Sequence, residues 1–258
     1  MFKEIDMSIF PKERQEKLDK IMRYSMFDKM YYRSSVYFHT KRILWLIEEI
    51  IPEAKKYLDF DEEKIRVLAL VHDDAEMVTG DIQAGHKARM SEEELELIKQ
   101  NELKAISKMI ENSPKEVNGY SYEELLKESA EKNSIEAKLV SYIDKMDGYC
   151  ESLHDVFAGN ICLIRSSLFY DNLITLFPYK FPELVPLLKN GKHPLLDITD
   201  RVSPLYIESK NYIHLNKPHT KESILIDTDL PFYNFWRQTI LEHGDEEGLQ
   251  YLINQKEK

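Results

Sequence analysis

The sequence is poor in glycine and cysteine, and both shortages narrow the folds open to it. Glycine occurs 8 times in 258 residues, about 3% against an average of about 7%. So few glycines leave few positions for tight turns, which favours long helices over a fold of many short strands. The two cysteines, Cys150 and Cys162, lack the paired spacing of metal ligands. We therefore expect neither a disulfide framework nor a Cys-rich zinc site.

Long hydrophobic runs are also missing. The N-terminus lacks the continuous apolar stretch of a signal peptide, and runs such as 43–47 are far shorter than the roughly 20 residues of a membrane helix. Acidic residues outnumber basic ones by 46 to 35, which gives a net charge of −11. A negative field repels nucleic-acid phosphates. We expect a soluble, cytoplasmic protein that binds neither membranes nor nucleic acids.

Helical periodicity dominates the first two thirds of the chain and predicts an all-α fold. The first three predicted helices run from about Pro11 to Phe27, from Ser34 or Ser35 to Pro52, and from Glu62 to Val78, with Gly80 as the stop. The next two run from the capping box at Ser91 to Glu111 and from Ser134 to Phe157. A further helical region is predicted over 161–190, with breaks near Pro178 and Pro182. In the C-terminal part of the chain, from His193 onward, the sequence predicts a short hairpin at 204–215 and a helix at 233–254. We predict a helical core over 11–165 with an insertion at about 112–133, and an extension over 166–258 packed on that core.

Ionisable residues follow the apolar run 67–71. His72, Asp73 and Glu76 come first, and Asp81 lies further along. Burying charge without a partner is costly, so groups at the end of a buried segment need partners or a metal. On a continuous helix, Glu76 would lie between His72 and Asp73 on one face. The alternative is a capped helix end with solvated acids.

Two residues of other predicted helices can join this cluster. His39 lies on the apolar stripe of its helix, where a lone histidine is more often a hydrogen-bonded core residue. Asp144 flanks the stripe of the helix over 134–157 and is equally suited to a structural ion pair. Together with His72 and Asp73 they supply two imidazoles and two carboxylates. Such a mixed set of ligands suits one divalent transition metal.

The motif HDDAEMVTGDI at 72–82 carries a resemblance to a known family. The HD-domain superfamily of metal-dependent phosphohydrolases shares the pattern H…HD…D. In this sequence the pattern falls on His39, His72, Asp73 and Asp144. The motif is similar to the HD-x-x-E-x-x-T-G-D-[IL] core of the HD-domain 5′-deoxynucleotidase family. The resemblance spans about residues 15–165.

Outer positions follow the same family. Lys87 stands where the family keeps a lysine, and the spacing of the family's second block favours Asp144 over Asp147 as the ligand. Arg23-Tyr24 resembles the family's Arg-Trp pair in the first helix. Tyr24 stands in place of the tryptophan that packs against the sugar, so the choice between ribose and deoxyribose stays open.

The resemblance implies an all-α HD-domain bundle that hydrolyses (deoxy)nucleoside 5′-monophosphates to nucleoside and phosphate. One divalent metal, Mn, Co, Fe, Ni or Zn rather than Mg, would be bound by the four residues of the pattern. Glu76 would act as general acid/base or orient water. Arg23 and Lys87 would neutralise the phosphate, with Tyr24 near the sugar. Asp81 would accept a hydrogen bond from a sugar hydroxyl or, nearly as well, cap the following turn.

Two other functions stay open at this point. One is an HD-type (deoxy)nucleoside triphosphohydrolase or another HD phosphohydrolase, which shares the metal core. The other is a non-catalytic binding protein that retains a metal for structure, although such a site does not need Glu76. The extension over 166–258 could cover the site, reshape the base pocket or form the interface of a homodimer, and the sequence does not choose among these roles.

Overall fold

The structure, a computed structural model, describes residues 5–82, 87, 89–198 and 219–253. Within these ranges the chain consists of helices, turns and a single two-stranded hairpin. The predicted all-α fold class is confirmed. None of the described helices is both long enough and apolar enough to cross a bilayer. The hairpin predicted at 204–215 lies outside the described residues.

The helices in the first part of the chain carry most of the predicted site residues. They are α1 (Lys12–Lys20), α2 (Val36–Ala54), α3 (Glu62–Val71), α4 (Glu76–Thr79), α5 (Glu92–Met109), α6 (Tyr122–Glu131) and α7 (Ile135–Phe157). Strands β1 (Glu116–Val117) and β2 (Tyr120–Ser121) form an antiparallel hairpin between α5 and α6. Asn118 and Gly119 make its turn with φ of 50° and 90°, which is typical of two-residue hairpin loops.

The later helices are α8 (Ile164–Lys180), α9 (Val185–Asn190), α10 (Lys221–Ile224), α11 (Pro231–His243) and α12 (Glu246–Leu252). The helix predicted over 233–254 is therefore two helices. Asp245 separates them because its side chain accepts a hydrogen bond from the backbone of Gly248 at 3.2 Å and caps α12.

Two prolines lie inside helices rather than at their breaks. Pro52 and Pro178 each precede the last residue of their helix by two positions. A proline removes one backbone hydrogen bond of a helix. When the proline lies only two residues before the end, the helix loses little and continues to its last residue. The interruption predicted at Pro52 comes at the end of α2, and the break predicted near Pro178 falls at Phe181, where the backbone leaves the helix.

The chain forms two compact units. The first contains Met1–Ser25, Ser34–Glu48 and Asp59–Ser141, and the second contains Met26–Arg33, Glu49–Leu58 and Tyr142–Lys258. The helices α2 and α7 contribute residues to both. The predicted division into a core over 11–165, with an insertion at 112–133, and an extension over 166–258 stays a prediction.

The core of the first unit is built around α3, in which every residue from 65 to 71 is buried. From α2, Ile43, Leu46 and Ile47 are at most 1% exposed. Helix α3 packs against α6, α6 packs against α5, and α4 contacts both α1 and α5. Full burial of one such aliphatic side chain stabilises the fold by about 1.5–3 kcal/mol. This packing fixes the end of α3, where His72 follows.

The core of the second unit is aromatic. Trp236 and Tyr233 of α11 are fully buried. The hydroxyl of Tyr233 lies 2.7 Å from Nδ1 of His154 on α7. The ring of Phe232 stacks on that of Tyr149, with 5.1 Å between their centroids. These contacts hold α11 against the part of α7 that belongs to this unit.

Helix α1 ends at Lys20 rather than near Phe27 as predicted. The chain leaves the helix because Met22 forms an antiparallel bridge with Ser35. The predicted cap of α2 is present, since the hydroxyl of Ser35 accepts a hydrogen bond from the backbone of Phe38 at 3.1 Å. Pairing with a later segment thus replaces the last predicted turns of α1.

Helix α3 ends at Val71, so the continuous helix predicted to Val78 is wrong. The backbone carbonyl of Leu70 accepts a hydrogen bond from Nη2 of Arg14, a residue of α1, at 2.8 Å. The N–H of Asp74, which would bond to Leu70 in a continuous helix, bonds to Val71 instead at 3.0 Å. The Arg14 side chain, from a distant part of the sequence, therefore takes a carbonyl at the end of α3 as its hydrogen-bond acceptor. The hydrophobic periodicity of the sequence cannot predict such a contact.

A turn over 72–75 and the single-turn helix α4 follow. Gly80 ends α4 as predicted, with φ of 73° and its N–H bonded to the carbonyl of Glu76 at 2.8 Å. Because the helix is interrupted, the argument that grouped His72, Asp73 and Glu76 on one helical face does not apply. Their relation comes from the turn.

Candidate metal centre

His39 lies on α2 with a fully buried side chain. Its Nδ1 is 2.8 Å from Nη1 of Arg23, in the segment after α1. A guanidinium only donates hydrogen bonds, so Nδ1 of His39 is the acceptor. Arg23 is itself buried. The predicted phosphate-binding cation therefore lies against one of the predicted metal ligands.

His72 begins the turn after α3, and its two ring nitrogens have different surroundings. Nδ1 donates to the backbone carbonyl of Ala69 at 2.8 Å. This bond fixes the proton on Nδ1 and leaves the lone pair of Nε2 available. Nε2 is buried and has no hydrogen-bond partner within the described residues. Metal-bound histidines usually have their second nitrogen fixed in this way.

The imidazole rings of His39 and His72 both approach one carboxylate oxygen of Asp73. Oδ2 of Asp73 is 3.3 Å from Nε2 of His39 and 3.3 Å from Nε2 of His72. Burial alone would raise the pKa of Asp73, but the two imidazoles lower it well below its ordinary value. Asp73 is therefore a carboxylate. Two imidazole nitrogens and a carboxylate oxygen suit a transition metal better than Mg, which prefers shells made of oxygen alone.

Asp144 lies on α7 and is half-buried. It belongs to the second compact unit, where its carboxylate pairs with the ammonium group of Lys145. Its role as a metal ligand stays a prediction. Asp147, which the sequence disfavoured as a ligand, is fully buried, and its Oδ1 accepts a hydrogen bond from the indole of Trp236 at 2.7 Å. The surroundings of Asp147 are thus those of a core residue.

Glu76 begins α4, three residues after Asp73. Its Oε2 is buried and hydrogen-bonds to no other described residue. Burial raises the pKa of Glu76 well above its ordinary value, and the negative charges of Asp73 and Asp81 raise it further. A carboxyl group with a raised pKa and an uncommitted oxygen is suited to holding and transferring a proton.

A cavity of about 330 Å³ opens beside Glu76. Thr79 and Gly80 at the end of α4, Lys87 and one face of α5 line it. Its volume falls at the lower end of the range of small-molecule sites, about 300–1,000 Å³. Glu76 and Lys87 thus line the same space. Asp81 is half-buried, and its charge acts on Glu76.

Tyr24 is buried and has an uncommon backbone conformation, with φ of 54°. The guanidinium of Arg23 lies 5.7 Å from the centroid of its ring. A left-handed conformation is rare for a bulky residue, and such residues cluster at functional sites. The structure thus puts Arg23 and Tyr24 together, and the role of Tyr24 at a sugar stays a prediction.

Sequence reasoning missed the residues that fix the turn beside the candidate metal centre. Asp74 accepts hydrogen bonds from Nε and Nη2 of Arg14, each at 2.7 Å, and from the hydroxyl of Tyr122 at 2.7 Å. The only signal in the sequence is the second aspartate of the motif. Nothing in it points to Arg14 or Tyr122 as the partners.

Comparison with known proteins identifies the family to which the sequence of this chain is similar. The sequence model of the family described as 5′-deoxynucleotidase YfbR-like matches residues 14–166. This range contains every predicted site residue from Arg23 to Asp144. A search of the curated proteins gave no significant match.

The solved structures that are similar to the chain include two proteins of Pyrococcus species and one cyanophage protein. A conserved hypothetical protein from Pyrococcus furiosus is 23% identical, with 67% of this chain and 95% of that one covered and a TM-score of 0.49. The PH0347 protein from Pyrococcus horikoshii OT3 is 19% identical, with 65% and 96% covered and a TM-score of 0.48. The HD phosphohydrolase DatZ of cyanophage S-2L, bound to dA and one catalytic Zn²⁺ ion, is 18% identical, with 64% and 82% covered and a TM-score of 0.43.

Proposed function

Because the chain belongs to the 5′-deoxynucleotidase YfbR-like family of metal-dependent phosphohydrolases, we propose that it hydrolyses (deoxy)nucleoside 5′-monophosphates to nucleoside and orthophosphate. The observation that carries this proposal is the convergence of His39 and His72 on Oδ2 of Asp73, both at 3.3 Å. Glu76, three residues further on, adds a buried carboxyl group with a raised pKa.

The proposed metal ligands are His39, His72, Asp73 and Asp144. The orientation of His72, with Nδ1 bonded to the Ala69 carbonyl and Nε2 left for a ligand, supports this assignment. When bound, the metal would supply Lewis acidity toward a phosphate oxygen and toward water. The mixed nitrogen and oxygen ligands favour Mn, Co, Fe, Ni or Zn over Mg.

Glu76 is the proposed proton carrier. In the reaction, a water oxygen forms a bond to phosphorus, the bond from phosphorus to the 5′ oxygen breaks, and that oxygen gains a proton. Oε2 of Glu76, which hydrogen-bonds to no other described residue, is the atom that would accept a proton from water and return one to the leaving oxygen. Burial raises the pKa of Glu76 above its ordinary value, which favours the protonated form that can donate to the leaving oxygen.

Arg23 and Lys87 are proposed to bind the phosphate. A guanidinium presents its donors in a planar fork that matches two phosphate oxygens, and Arg23 lies beside His39. Lys87 lines the cavity with Glu76. Tyr24, next to Arg23, and Asp81, whose charge reaches Glu76, are proposed to lie at the sugar.

The test replaces Glu76 by glutamine. The Glu76→Gln variant should retain its metal and lose kcat by about 10²–10⁴, the usual scale of acid–base catalysis. Glu111→Gln, which alters an exposed glutamate after α5, is the control and should leave kcat unchanged. The measurements are metal stoichiometry and phosphate release.

The substrates are ribo and deoxy mono- and triphosphates, each assayed with Mn, Co or Mg. Release of tripolyphosphate instead of orthophosphate would contradict the proposed substrate. Loss of metal from Glu76→Gln would make Glu76 a ligand and overturn its proposed role.

A further inference from the structure

One face of helix α5 forms a wall of the cavity beside Glu76, and the proposed reaction assigns it no role. Ile98, Asn101, Glu102 and Ala105 all line the cavity. They recur at steps of three and four residues along the helix, so their side chains share one face. Glu76 lines the same cavity from α4, and α4 packs against α5.

The lining combines apolar surfaces with a polar edge. Ile82, Ile98 and Ala105 are apolar, whereas Asn101 and Glu102 are neighbours in the sequence and contribute an amide and a carboxylate. Three lysines, Lys87, Lys104 and Lys108, also line the cavity and can attract the phosphate end of a nucleotide. Small-molecule sites are usually apolar, with a few polar groups that fix orientation. Apolar side chains can contact the faces of a nucleobase, and an amide and a carboxylate can hydrogen-bond to its edge.

Glu76 links this cavity to the candidate metal centre. It follows the proposed ligand Asp73 by three residues at the start of α4, and its side chain lines the cavity. A nucleotide whose phosphate is bound at the metal centre extends its sugar and base away from the phosphorus. The cavity, which Glu76 lines, provides a volume of about 330 Å³ for the base.

We propose that Asn101 and Glu102 recognise the nucleotide base and favour bases that carry an exocyclic amino group. The identity of the ligand as a nucleotide rests on the proposed function. A carboxylate only accepts hydrogen bonds, whereas an amide both donates and accepts. Adenine, cytosine and guanine present an amino group beside a ring nitrogen, which matches this pair of side chains. Thymine and uracil present carbonyl oxygens on both sides of a ring N–H, so one of their oxygens would face the carboxylate.

The experiment measures kcat/KM of the full-length metal-bound protein for dAMP and for dTMP. Glu102→Gln replaces an acceptor with a group that also donates. The ratio of kcat/KM for dAMP over dTMP should therefore fall about tenfold, within the range for one paired base contact. Asn101→Ala should lower the same ratio.

Two controls separate base recognition from other effects. Glu96→Gln changes an exposed glutamate of α5 that does not line the cavity, and the ratio should not change. Lys104→Gln changes a cation that does line the cavity. A cation attracts every nucleotide through its phosphate, so the kcat/KM values for dAMP and dTMP should change together. An unchanged ratio in Glu102→Gln, with activity retained, would overturn the proposal.

Binding of nucleosides separates this inference from the proposed function. Deoxyadenosine and thymidine lack the phosphate, so calorimetry with each reports on the base cavity alone. The proposed reaction fails if monophosphates release no phosphate. The base site still stands in that case if deoxyadenosine binds more tightly than thymidine and Glu102→Gln removes that preference. If phosphate is released but the wild-type protein binds neither nucleoside at millimolar concentration, the base site is overturned alone.

Discussion

Asp73 and Asp74 are neighbours at the end of α3, and their side chains enter opposite surroundings. The carboxylate of Asp74 is 1% exposed and receives three hydrogen bonds, two from Arg14 and one from Tyr122. The carboxylate of Asp73 lies between two imidazoles whose Nε2 atoms are 3.3 Å away.

The difference shows how one turn serves two purposes. The opposite charge that pairs with Asp74 is the guanidinium of Arg14, which is also buried. Burial lowers the pKa of Arg14, but the charge of Asp74 raises it, and the net shift is upward. The described ion-pair partners of Asp73 are histidines, and a histidine side chain can ligate a metal in its neutral form. The first aspartate faces the two imidazoles at the proposed metal centre, and the second is hydrogen-bonded to Arg14 and Tyr122 in the turn from which the first projects.

The largest expected effect comes from the first aspartate. Asp73→Asn should lower phosphate release by about 10³-fold or more, because the Lewis acidity of a bound metal contributes several kcal/mol. Wild-type protein should gain about 2.7 kcal/mol of stability from Mn²⁺ or Co²⁺ at one hundred times Kd. Asp73→Asn should lose this gain.

The measurements for Asp73→Asn are phosphate release and thermal unfolding with and without metal. Asp59→Asn, which removes an exposed carboxylate before α3, is the matched control and should retain both activity and the metal-dependent shift. A full shift in Asp73→Asn would show that Asp73 does not ligate the metal.

The second aspartate should affect stability more than chemistry. Asp74→Asn leaves the guanidinium of Arg14 buried without its opposite charge, and breaking such a pair costs about 3–5 kcal/mol. Urea unfolding measures this loss, and Asp59→Asn again provides the control. Below its unfolding transition, the variant should still bind the metal. A loss of less than about 1 kcal/mol would contradict the structural role of the pair.

Several elements could be predicted from the sequence because local chemistry determines them. The capping box at the start of α5 is present, with the side chain of Glu94 bonded to the backbone of Ser91 at 2.7 Å and the reciprocal bond at 3.3 Å. The apolar stripe of α7 predicts the observed helix over Ile135–Phe157. The motif at 72–82 predicted the family, which is confirmed.

The rest depended on contacts between residues distant in sequence. The end of α3 involves Arg14, which is 56 residues away from the carbonyl of Leu70 that it binds. The end of α1 involves pairing of Met22 with Ser35. Periodicity reports only on neighbours along a helix, so it extended both helices too far. The roles of the predicted site residues stay predictions, although the structure brings His39, His72 and Asp73 together.

The smallest expected effect separates the two aspartates most cleanly. Tyr122→Phe removes one hydrogen bond to Oδ2 of Asp74, while Nε of Arg14 remains bonded to the same oxygen at 2.7 Å. A hydrogen bond to a charged group contributes about 1.5–3 kcal/mol. We expect a loss near the lower end, because the carboxylate keeps its charged partner. The phenyl ring also keeps its edge contact with Phe10, at 6.0 Å between centroids.

The control for this substitution is Tyr120, on strand β2, two residues before Tyr122. Tyr120 donates a hydrogen bond to Oδ2 of Asp61 at 2.7 Å in a more exposed position. Tyr120→Phe should therefore cost less than Tyr122→Phe in urea unfolding, since water can replace the lost bond. Both variants should keep kcat and the affinity for Mn²⁺ within about threefold, as neither hydroxyl contacts Asp73. If Tyr122→Phe weakens Mn²⁺ binding tenfold or more, the hydrogen bonds of Asp74 also tune the metal ligands, and the two aspartates act as one unit.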